Sequence, residues 1–143
     1  MVARDTTRGT LGSGLSFALI NNTDYDTDDL RRFCISGLRA LVRQSKQNVP
    51  KTIVFVAAPQ RSRGCAKVGT GGKTGRDVVI ALAPPNRFSL RRLARLFQHE
   101  VTHTQGYEHK DMPNDVLWSL GPVPEWAEGA VIRYHGRAPN QIP

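Results

Sequence analysis

Eleven consecutive residues hold most of this chain's capacity for chemistry. They run His99-Glu100-Val101-Thr102-His103-Thr104-Gln105-Gly106-Tyr107-Glu108-His109 and read HExxHxxGxxH. Histidines four apart on a helix share a face, because 3.6 residues complete a turn. The imidazoles of His99 and His103 can therefore reach one metal ion. Glu100 sits beside the first of them, at the spacing of a general base acting on metal-activated water. Gly106 can adopt a left-handed backbone and end the helix. The chain then turns back, and His109 can close a three-histidine zinc site with an open fourth position. Three of the four histidines of the chain fall within this run, which argues against chance scatter.

The eleven residues resemble the active-site motif of the metzincin clan of zinc metallopeptidases. The resemblance implies His99, His103 and His109 as Zn²⁺ ligands and Glu100 as catalytic base. It also implies a peptide or protein substrate, cleaved by a zinc metalloendopeptidase of minimal size. Metzincins carry a methionine turn well beyond the third histidine. Here the only methionine after Met1 is Met112, three residues past His109. A second segment, Pro124-Glu125-Trp126-Ala127-Glu128-Gly129-Ala130, resembles the PxWxxEGxA stretch of gluzincin-like peptidases. That likeness offers Glu128 as an alternative third ligand, or as a partner that orients a ligand histidine. His109 is favoured, because Gly106 and His109 together complete the spacing.

Two rivals come from other classes. Gly106-Tyr107-Glu108-His109 is similar to the GYDH end of the motif in the YbeY family of bacterial rRNA-maturation nucleases, which implies a metal-dependent endoribonuclease. That family has glycine where this chain has Glu100. The third reading is a non-catalytic binding module stabilised by zinc. Glu100, the residue a peptidase needs, places peptide hydrolysis first.

The elements that must position these residues are legible in the flanking pattern. Ser89 can cap a helix over 90–105, whose stripe Leu90, Leu93, Phe97 and Val101 is apolar. A second amphipathic helix is expected over 28–45, with Thr27 as its cap and Asp28 and Asp29 in its first turn. Strands are expected over 15–20, 52–56 and 77–82, with a short one near 65–68. The strand over 78–82 is expected to lie near the cleft, as an edge open to β-addition by a substrate. Pro124 suits the start of a last helix over 125–134. Residues 1–13 read as a flexible N-terminal arm and 14–143 as one domain. The expected fold is α+β and zincin-like: a small mixed sheet packed on a backing helix and a metal-binding helix. Thr70-Gly71-Gly72-Lys73-Thr74 lacks the full phosphate-loop pattern and reads as a hairpin tip.

Charge is divided unevenly. Between Arg31 and Arg95 there are 15 lysines and arginines and one acid, Asp77; between Glu100 and Glu128 there are six acids and one base. The basic 31–95 half suits an anionic partner, nucleic acid or acidic protein. No apolar run reaches membrane-spanning length and no signal-peptide core is visible, so no membrane role and a cytoplasmic location are expected. Cys34 and Cys65 read as free thiols.

Overall fold

Alternating apolar residues build the strands, and their register brings those residues to one side. The structure, a computed structural model of the chain, describes residues 5–12, 14–45, 49–57, 66–68, 77–82, 89–104, 106–117 and 122–136. Five strands, β1 (Asp5–Gly12), β2 (Leu15–Asn22), β3 (Thr52–Ala57), β4 (Ala66–Val68) and β5 (Asp77–Leu82), form one sheet in the order β1-β2-β3-β5-β4. The outer pairs β1/β2 and β4/β5 are antiparallel, while β2/β3 and β3/β5 are parallel. Leu19 lies beside Ile53 and Ile53 beside Val78; Phe55 lies beside Ile80. Each of these side chains is fully buried. Alternate residues of a strand point to opposite faces, so this register assembles a single apolar face.

Two helices cover that face. The first, α1 (Thr27–Ser45), joins β2 to its parallel neighbour β3, and the second, α2 (Leu90–Thr104), follows β5. From α1 come Leu30, Phe33, Cys34, Leu38 and Leu41; from α2 come Leu93, Ala94, Phe97 and Val101. All belong to one core with the sheet residues. The helices meet at Gly37. A Cβ there would lie 2.8 Å from the Phe97 ring and 2.9 Å from Trp126. Phe33, Phe97 and Trp126 pack edge-to-face, with centroids 5.0–5.9 Å apart. The expected α+β architecture, a mixed sheet under two helices, is the observed one.

Four expectations are corrected. Residues 5–12, read as part of a flexible arm, form β1. Gly9 pairs with Phe17 across the ladder, and a Cβ on it would collide with that ring. Glycine is thus what lets β1 cover a buried phenylalanine. The strand over 77–82 is internal; β4 pairs along its outer side. The cap of α1 is Asp26, whose Oδ1 accepts the Asp29 N–H at 2.8 Å. Thr27 instead accepts from the Asn21 amide at 2.9 Å.

The last correction concerns the C-terminal segment. It is a single 3₁₀ turn, Glu125–Ala127, followed by extended chain. Gly129 and the β-branched pair Val131-Ile132 disfavour a helix there. The extended backbone is bonded instead to the start of α1. Asp26 N–H donates to the Arg133 carbonyl (2.7 Å), His135 N–H to the Asp24 carbonyl (2.7 Å). Tyr134 stacks edge-on against Tyr25 at 4.9 Å.

Cys34 is a buried free thiol. Cys65, Trp118 and the Thr70–Thr74 stretch lie outside the described residues. Among the described residues, no helix is long and apolar enough to cross a membrane.

Candidate metal centre

One helix and the turn that follows it deliver the histidines. Ser89 starts α2: its carbonyl accepts the Leu93 N–H at 2.9 Å and its Oγ accepts the Arg92 N–H at 3.4 Å. The buried stripe of α2 then fixes the rotation of the helix, so that His99 and His103 share a half-buried face. The helix ends at Thr104. Gly106 follows with φ 97°, in the left-handed region, and its N–H bonds the His103 carbonyl at 3.0 Å. This is the turn expected of that glycine. A 3₁₀ turn, His109–Asp111, closes it. Within that turn Asp111 Oδ2 accepts the Glu108 N–H at 3.2 Å, so Asp111 holds the turn and not a histidine. Met112, next in the chain, is buried.

The histidines converge. Potential ligand atoms of His99, His103 and His109 all lie within 4.8 Å of one another. Two backbone carbonyls set their tautomers. His99 Nδ1 is 2.9 Å from the Val116 carbonyl, and His103 Nδ1 is 2.9 Å from the Tyr107 carbonyl. A carbonyl only accepts, so each Nδ1 carries the proton and each Nε2 presents its lone pair. Those two Nε2 atoms face each other at 3.2 Å. Lone pairs that close need a cation or a proton between them. Two nitrogens bound to one tetrahedral ion at ordinary zinc–imidazole distance lie about 3.3 Å apart. The donor set and its spacing therefore fit a metal ion.

Electrostatics agree with the tautomers. Burial holds His103 below its ordinary pKa of 6.5, the Tyr107 carbonyl opposing this and the neighbouring imidazoles His99 and His109 adding to it. A neutral imidazole is the form that binds metal. Glu100 is 7% exposed, and its Oε1 lies 3.9 Å from His99 Nε2. Burial raises its carboxyl from 4.5 to about 7. A carboxyl so placed takes up and releases a proton near neutral pH.

The sequence-level candidates separate on this geometry. His99, His103 and His109 come together, with Glu100 beside them. Glu128, the alternative third ligand, lies on an exposed turn and is not a member of the cluster. His135 is occupied elsewhere, with its Nε2 2.9 Å from Asp26. Sequence reasoning missed the carbonyls of Tyr107 and Val116. Every residue carries a carbonyl, so no side-chain pattern announces which ones will face an imidazole. The short helix α3 (Asn114–Leu117) supplies the Val116 carbonyl.

No family model, curated protein or solved structure matches this chain.

Proposed function

We propose that the chain is a metzincin-like zinc-dependent metallopeptidase, with His99, His103 and His109 as ligands and Glu100 as general base. The observation that carries this reading is the facing pair of Nε2 lone pairs at 3.2 Å, with a buried carboxyl 3.9 Å away. Borderline-soft zinc suits an all-imidazole set better than the hard cations, which prefer oxygen. When bound, zinc would supply Lewis acidity, making a water more acidic and a carbonyl more electrophilic.

The chain's own residues do the rest. The Val116 and Tyr107 carbonyls keep the protons of His99 and His103 on Nδ1, which leaves Nε2 free for the metal. Glu100 Oε1 accepts the proton of the attacking water and returns it to the departing amine nitrogen. Its burial keeps its affinity for that proton near what neutral pH requires. The zincin-like character of the fold rests on the motif together with this order of sheet and helices.

A YbeY-like endoribonuclease is the second reading, favoured by the exposed arginines along α1 and α2. One experiment separates the two. The zinc-loaded protein is incubated with a denatured protein substrate and, separately, with ribosomal RNA. Peptide fragments that vanish in Glu100→Gln support the peptidase. RNA fragments without peptide cleavage would replace it with the nuclease, and neither product would leave a metal-stabilised binding module.

A further inference from the structure

Beside α1, away from the motif residues, lies a pocket of about 360 Å³. Phe33, Trp126, Ala130 and Val131 give it an apolar lining; Asp29, Arg32 and Ser36 add the polar part. Trp126 is held in place by Phe33, Phe97 and Gly37, so its indole is a rigid wall. The one acid of the pocket is already satisfied. Asp29 accepts from Arg133 Nε (2.8 Å), from the Arg133 backbone N–H (3.0 Å) and from Arg32. Its charge is thus balanced by two arginines.

The pocket opens onto a line of positive charge. Arg32, Ser36, Arg39 and Arg43 are exposed and recur at spacings of four, three and four, which places them along one stripe of α1. Arg32 to Arg43 covers about 16 Å of helix. Among the described residues, neither Arg39 nor Arg43 has an acidic partner. A stripe of cations beside an aromatic-walled pocket is the arrangement that holds a phosphate backbone and stacks an unpaired base.

We propose that this face binds single-stranded nucleic acid, with phosphates on Arg39 and Arg43 and one base in the pocket against Trp126. A duplex keeps its bases stacked inside and cannot fill the pocket. Polyglutamate could meet the arginines but offers no ring to the indole. The proposal is independent of hydrolysis at the histidines.

The test uses the full chain, with chelator present so that no cleavage interferes. Fluorescence anisotropy follows labelled DNA and RNA 12-mers: single-stranded, duplex, and abasic single-stranded. The single strands are expected to bind at least tenfold more tightly than the abasic strand or the duplex. Two phosphate contacts give a slope of about −1.4 in log K against log salt. The double reversal Arg39→Glu and Arg43→Glu should cut affinity more than tenfold and flatten that slope. Both residues are exposed, so the fold survives, as circular dichroism will verify. Gly129→Leu adds a side chain beside the pocket where a Cβ meets nothing within 4 Å. It should abolish the advantage over the abasic strand and leave the salt slope intact. Equal binding of abasic and normal strands, indifference to the charge reversals, or equal competition by polyglutamate would each overturn the proposal.

Discussion

At the scale of single residues, the proposed peptidase gives each motif member a distinct duty, and substitution should expose it. Glu100 touches none of the hydrogen-bonded scaffold of the histidines, so Glu100→Gln should leave metal binding intact. Turnover on peptide should fall by about 10²–10⁴-fold, the usual contribution of a positioned general base. Metal stoichiometry by elemental analysis, beside peptidase rate, reads both. Gly106 works through its backbone. At φ 97° a side chain costs about 1–2 kcal/mol. The chain it redirects carries both the Tyr107 carbonyl, which orients His103, and His109 itself. Gly106→Ala should therefore weaken metal affinity by tenfold or more in a chelator competition, while the rest of the fold persists. Legibility at this scale was high for the side chains: HExxHxxGxxH picks out the three histidines that converge, the carboxyl beside them and the turn glycine. It was nil for the two carbonyls, which only the folded chain selects.

At the scale of elements, the contact between α1 and α2 decides whether the metal helix is held. Phe97 sits two residues before His99, and its ring fills the space over Gly37. Gly37→Ala would press a methyl into Phe97 and Trp126, at an expected cost of about 1–3 kcal/mol. Denaturant unfolding measures it, and reduced metal affinity should accompany it. Asp29 ties the C-terminal segment to the start of α1. Hydrogen bonds from the Arg133 side chain, its main cause, hold the Asp29 carboxyl down from 3.8 to about 2, against the opposing effect of burial. A depressed pKa means the bond stabilises the fold fully above pH 3.8 and loses that effect as pH falls through about 2. Asp29→Asn should destabilise at neutral pH by about 1–3 kcal/mol. Its stability should also decline less steeply between about pH 4 and 2, as acid titration followed by circular dichroism would reveal. The elements themselves were partly legible. Helices over 28–45 and 90–105 follow from apolar spacing, because that spacing is also what buries them. β1 escaped because Gly9, Gly12 and Thr-rich sequence look loose until Phe17 is seen beneath Gly9. The extended run 130–134 escaped for a similar reason. Its partners, Asp24, Asp26 and Asp29, lie about a hundred residues away in the chain.

At the scale of the whole molecule, the three histidines join α2 to the following turn, so a bound metal staples two elements. Metal that binds only the folded state adds stability by mass action; at a concentration 100 times its dissociation constant the gain is about 2.7 kcal/mol. Chelation should lower the melting temperature by several degrees, and added zinc should restore it. A His109→Ala variant should show no such response.

The sequence by itself determined the chemistry on offer: three imidazoles, a carboxylate and a glycine whose spacing matches the periodicity of a helix and its reversal. Local periodicity is written in consecutive residues, so it can be read from them. It favoured His109 over Glu128 as the companion of His99 and His103, although each choice satisfies a local pattern. The tertiary structure decided that. Gly106 turns His109 back onto α2, while pairing with Asp29, Asp24 and Asp26 keeps the C-terminal segment extended and Glu128 exposed. Long-range hydrogen bonds fix where the C-terminal segment lies, and partners about a hundred residues apart cannot be read from local spacing.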